Sequence, residues 1–278
     1  MFAQFAPTQY ASVNGTNLAY RRFGKLGVLP LLFLTHFRGT MDIVDPLLAN
    51  SIARSRELIL FDYAGCGHSE GTIPTSIPES GSTVVEFLAT IGVPKVDILG
   101  FSMGGMVAQS IVVEEPQVVN KLILAGTQST YTEGVVFSRP EVTELATGFS
   151  PTEEDMLQLF FFPSETSRAT GHAWWERIQE RKVRGENRTG FVDQPGALAQ
   201  RATMNNFLSN PAFFERLKQV DIPILVTNGK NDIMTPTNNS YLLQQQLRNA
   251  QLHIYPDSAH GHLFQDPKAY ARQLELFL

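Results

Sequence analysis

The sequence predicts an α/β fold: a mostly parallel central sheet flanked by helices, with a helical block inserted before the last two strands. Three observations carry this. Short, nearly continuous apolar runs at residues 29–34, 58–61, 96–99 and 122–125, with two more at 223–226 and 252–255, have the texture of strands buried on both faces. The first four are spaced widely enough for a helix between each pair. Between Gly126 and about Leu217 the strand pattern stops and helix-like periodicity takes over. Finally, Gly100-Phe101-Ser102-Met103-Gly104-Gly105 lies between an apolar strand and a helix-like stretch from Met106, which is how a serine hydroxyl is mounted on a sharp strand-to-helix turn.

Taken in chain order, residues 8–13 and 18–23 read as a hairpin, because Asn14-Gly15 supplies the positive φ angles of a tight turn. The parallel strands follow, and residues 1–126 with 218–278 form the predicted core. Residues 127–217 form the predicted cap. Within it, Pro151-Thr152-Glu153-Glu154 is a helix start, and Met156, Leu157, Leu159 and Phe160 form an apolar face. The aromatic side chains of this block, Phe160, Phe161, Phe162, Trp174, Trp175, Phe207, Phe213 and Phe214, mostly pack it onto the sheet, and a few line a pocket. Residues 268–278 close the chain as a helix.

Composition narrows the function classes. The 278 residues suffice for one large domain with an inserted subdomain, and 43% apolar against 18% charged residues excludes a disordered or fibrous chain. A formal charge of −5 without a dense Lys/Arg cluster argues against nucleic acid as a partner, and the weakly basic stretch 177–188 reads as a solvated helix face. The single cysteine, Cys66, excludes an internal disulfide framework and a multi-thiolate metal site. No leader is visible in the first ten residues and no apolar run could cross a bilayer, so a cytoplasmic protein acting on a small-molecule substrate is expected, without cofactor or metal.

A serine hydroxyl is a poor nucleophile near neutral pH. It needs a neutral imidazole to take its proton and a carboxylate to hold that ring in the right tautomer. Such groups gather at the carboxyl ends of the strands, which directs attention to Asp232, after the run at 223–226, and to His260, after the run at 252–255. His262 and Asp257 are their local rivals. His262 would point elsewhere along an extended segment, and Asp257 lies too near His260 in sequence to reach behind its ring.

The order Ser102, Asp232, His260 is that of an α/β-hydrolase. With the 61–69 segment Phe-Asp-Tyr-Ala-Gly-Cys-Gly-His-Ser and Ala259-His260-Gly261, the chain resembles that superfamily across essentially its whole length. It is most similar to a group with Gly-Phe-Ser-Met-Gly-Gly elbows that includes esterases, lactonases and cofactor-free haloperoxidase-like proteins. The resemblance implies an oxyanion hole formed by the N–H of Met103 and one from the loop after the third strand. That loop reads Thr35-His36-Phe37-Arg38-Gly39 where relatives commonly carry His-Gly, which makes Phe37 the donor, with a register open by one position. Asp62 is expected to tie down the Gly65-Cys66-Gly67 turn, and His36 to brace the oxyanion loop.

The activity implied is hydrolysis of a carboxylic ester or lactone through an acyl-serine. Perhydrolysis or carbon–carbon bond hydrolysis by the same residues, and a non-turnover ligand receptor, are the alternatives. Neither substrate-binding residues nor oligomeric state can be read from this chain.

Overall fold

The computed structural model describes residues 2–148 and 150–278. Among these, eight strands form one sheet in the order β1-β2-β4-β3-β5-β6-β7-β8. β1 (Gln9–Val13) and β2 (Thr16–Gly24) make the expected hairpin, with φ +50° at Asn14 and +82° at Gly15, the double left-handed turn whose twist suits two-residue connections. β2 pairs antiparallel with β4 (Glu57–Phe61). The remaining strands, β3 (Leu31–Leu34), β5 (Val96–Phe101), β6 (Val119–Ala125), β7 (Ile224–Gly229) and β8 (Ala250–Tyr255), run parallel with β4.

Strands β3, β4, β5 and β7 are buried at every position, so both of their faces need cover. Alternation along the strand divides the cover into two cores. Ile98 and Leu122 join Phe87 of α2 (Ile77–Thr90) and Ile111 of α3 (Met103–Glu114) on one side. Leu99 and Ile123 join Leu48 of α1 (Pro46–Ala53) and Leu274 of α11 (Pro267–Phe277) on the other. Between β6 and β7 come α4 (Pro140–Ala146), α5 (Glu153–Phe160), α6 (Glu165–Arg177), α7 (Gln194–Leu208) and α8 (Pro211–Leu217). α5 starts where its sequence predicts, on a capping box in which Thr152 and Asp155 satisfy each other's backbone N–H groups. After β7 and β8 come α9 (Asn238–Gln246) and α10 (His262–Gln265). Among the described residues no helix is long and apolar enough to cross a membrane.

Two expectations are corrected. α3 begins at Met103, three residues before the expected start, because the chain turns directly at Ser102 and the glycines that weaken local helix propensity are needed for close packing. The basic stretch 177–188 is not a solvated helix face. α6 ends at Arg177, which pairs with Asp45 at 2.7 Å, and the buried Arg181 pairs with Glu186 at 2.6 Å and lies 3.4 Å from Asp42. Asp42 and Asp45 stand elsewhere in the chain, beyond the reach of local periodicity.

Candidate active site

Ser102 occupies the turn between β5 and α3 with φ +55° and ψ −116°, a left-handed conformation rare for a residue with a side chain. Its own N–H donates to Ala125 O at 2.8 Å, and Thr127 Oγ1 donates to Ser102 O at 2.8 Å, so the turn is held on both sides. The neighbouring glycines are required by space rather than by φ. A Cβ on Gly104 would stand 2.1 Å from Leu34 O, and one on Gly100 would stand 2.6 Å from Gly104 O. Only a bare backbone allows β3, β5 and α3 to meet this closely.

Asp232 and His260 come from the loops that follow β7 and β8. These loops are pressed together: Lys230 N–H donates to Tyr255 O at 2.9 Å, Asn231 N–H to Ser258 O at 3.0 Å, and a Cβ on Gly229 would meet Ala259 O at 2.1 Å. His260 Nδ1 lies 2.7 Å from Asp232 Oδ2, with the two side chains 1% and 0% exposed. A carboxylate accepts, so Nδ1 carries the proton of this bond, and Nε2 is the ring nitrogen on the other side. The other carboxylate oxygen accepts from the N–H groups of Met234 and Thr235, each at 2.8 Å, which fixes its orientation.

The His260 ring sits beside the serine turn. Phe101, the residue before Ser102, lies 5.0 Å from it between centroids, and a Cβ at Gly126 would be 3.3 Å from its Nδ1. Phe160 of α5 closes another side, edge-on at 5.4 Å. The rivals go elsewhere. His262 Nε2 meets Thr227 Oγ1 at 2.9 Å, and burial lowers its pKa to about 3. Asp257 accepts from Ser164 at 2.6 Å and also from Thr166. Among the described residues, no group of three His, Cys, Asp or Glu side chains is arranged to hold a metal ion.

Met103 is the first residue of α3, so its N–H has no acceptor within the helix and points forward from the N-terminus. On the opposite loop, Arg38 N–H, one residue after Phe37, is committed to Gln200 Oε1 at 2.8 Å. Phe37 and Ser102 line the same narrow cavity, of about 50 Å³. His36 braces this loop through Nδ1 to Phe37 O at 2.7 Å. Burial lowers its pKa to about 3, despite the opposing effect of that hydrogen bond, so the ring is neutral at ordinary pH.

Arg38 has φ +63° and is 3% exposed. Its guanidinium donates to Val192 O at 2.7 Å, Gly148 O at 2.8 Å and Ala146 O at 3.3 Å, while Val192 N–H returns a bond to Arg38 O at 3.0 Å. The oxyanion-loop candidate is thereby clamped to the helical block at two places, the end of α4 and the segment just before α7. The Cys66 loop is tied down as expected. Asp62 accepts from the N–H groups of His68 and Met41, Gly65 and Gly67 have positive φ, and burial pushes the Cys66 thiol up to about 12.

Cavity residues contributed by the helical block were not legible in sequence. Val142, Thr143, Ala146 and Thr147 come from α4 and its end, and Arg201 and Met204 from α7. They are ordinary residues of amphipathic helices, and only packing assigns them to the cavity.

Comparison with known proteins agrees with this architecture. The sequence model of a family described as "alpha/beta hydrolase fold" matches residues 30–267. An "Alpha/beta hydrolase fold protein from Chitinophaga pinensis" is 35% identical, with a TM-score of 0.89 covering 100% of this chain and 98% of that one. A 2-hydroxymuconate semialdehyde hydrolase of Pseudomonas putida is 26% identical over 88% of this chain and 85% of its own length. A proline iminopeptidase of Levilactobacillus brevis is 26% identical over 97% and 95%.

Proposed function

Because the chain belongs to the α/β-hydrolase-fold family, we propose that it is a serine hydrolase in which Ser102 is the nucleophile, His260 the general base and Asp232 the orienting acid. The observation that carries this is the buried 2.7 Å His260–Asp232 pair beside a serine held at φ +55°. Nε2 of His260 takes the Ser102 proton as Oγ attacks a substrate carbonyl, and the charge formed on the carbonyl oxygen meets the N–H groups of Phe37 and Met103. The imidazolium, stabilised by Asp232, then protonates the leaving alcohol. Water, activated by the same ring, releases the acid from the acyl-serine. Residues 127–217 act as the cap over the site, and a carboxylic ester or lactone is the substrate class.

Carbon–carbon bond hydrolysis is a second reading, favoured by the similarity to 2-hydroxymuconate semialdehyde hydrolase along most of both chains. Labelling with a fluorophosphonate probe tests the nucleophile common to both. Wild-type protein should label at one serine and Ser102→Ala should not, with turnover falling by about a thousandfold or more. Undiminished labelling and turnover in the variant would overturn the assignment. An ester and lactone panel run beside vinylogous 1,5-diketone acids then separates the two reactions.

A further inference from the structure

Among the described residues, one cation in the Ser102 cavity meets no carboxylate. Arg201 lines this cavity together with Met204, one helical turn further along α7, so this face of the helix is turned toward the serine. The other arginines drawn toward the interior are compensated. Arg21, Arg56, Arg177 and Arg181 each stand 2.6 to 2.8 Å from a carboxylate. Arg38 and Arg188 donate to main-chain carbonyls. Among the described residues no carboxylate or hydrogen-bond acceptor engages the Arg201 guanidinium, although its residue is partly buried. The cavity lining contains no Asp or Glu; besides Arg201 its polar groups are hydroxyls, including Ser138, Thr143 and Thr235.

A guanidinium partly withdrawn from water without a counter-ion loses solvation and gains nothing in return. Its planar fork of donors matches a carboxylate better than any neutral group. We infer that the substrate carries a carboxylate, paired by Arg201, on the part of the molecule that extends from the reacting carbonyl toward α7. The preferred substrate is then a monoester or an oxo acid rather than a neutral ester. This rests on Ser102 being the nucleophile, and it adds a specificity-determining residue that acts on binding rather than on bond cleavage.

The test compares monomethyl esters of dicarboxylic acids, from succinate to suberate, with their isosteric neutral half-amides. Wild-type protein should favour the acid by about tenfold or more in kcat/KM at its best chain length, the scale of one charge-assisted pair. Arg201→Met should bring the ratio close to one, chiefly by raising KM for the acid, and Arg201→Lys should restore part of it. A wild-type ratio at or below one, or a ratio unchanged in Arg201→Met, overturns the inference.

Calorimetric titration of Ser102→Ala with the same free dicarboxylates separates this inference from the hydrolase reading. Binding that disappears in Ser102→Ala/Arg201→Met supports the carboxylate site even if no ester is cleaved. Failure of every dicarboxylate to bind refutes that site while leaving the phosphonate result at Ser102 to decide the nucleophile.

Discussion

The neutrality of His36 follows from placing its ring where water cannot follow. His36 is protonated in the unfolded chain below its ordinary pKa near 6.5 but remains neutral in the folded protein until about pH 3. The unfolded state therefore binds the extra proton between those values, and stability falls as pH drops through that window. A single such ring contributes up to about 1.4 kcal/mol per pH unit. His36→Asn, which keeps a donor for Phe37 O, should flatten the dependence of the denaturant midpoint on pH between 4 and 6; an unchanged slope would contradict a neutral buried ring. At this scale the sequence was informative where chemistry is local. Ser102, Asp232 and His260 follow apolar runs and small residues that identify strand ends. Arg201 and Arg38 were opaque, because what distinguishes them is the presence or lack of partners more than a hundred positions away.

Elements carry the next layer. The strands were legible because burial on both faces leaves a continuous apolar run, and the hairpin because Asn14-Gly15 has one inexpensive conformation. The start of α3 was displaced because Met103-Gly104-Gly105 are held in a helix by what packs on them. The clamp between β3's following loop and the helical block belongs to this scale as well. Arg38→Met should leave the acceptors at residues 146, 148 and 192 without their donor, lowering stability by about 2 kcal/mol or more. Hydrogen exchange should accelerate at residues 140–148 and 190–194 before it does in β5 or β6. Uniform acceleration across the sheet would show that the clamp has no separate role.

Across the whole molecule, the sheet supplies the loops that hold Ser102, Asp232 and His260, and the helical block supplies much of the cavity wall. A second tie joins these parts close to the first. Asp42 forms an ion pair with Arg21 at 2.7 Å and accepts from His68 Nε2 at 2.8 Å and from Thr189 N–H at 2.7 Å, linking β2 to the segment after α6. Burial alone would raise its pKa, but the His68 hydrogen bond and the Arg21 charge hold it well below the usual carboxylate range. Asp42→Ala would strand Arg21, with Arg181 close by, and should cost about 3 kcal/mol in chemical denaturation. A loss within 0.5 kcal/mol of zero would show that these cations find other partners. The Arg38 clamp differs from this tie in what it asks of heredity. Its partners at Ala146, Gly148 and Val192 are main-chain carbonyls, which nearly every codon provides. The walls of the cavity can therefore be rewritten by mutation, one side chain at a time, without unfastening the latch that aligns them with the serine, so a lineage can change its diet while keeping its chemistry.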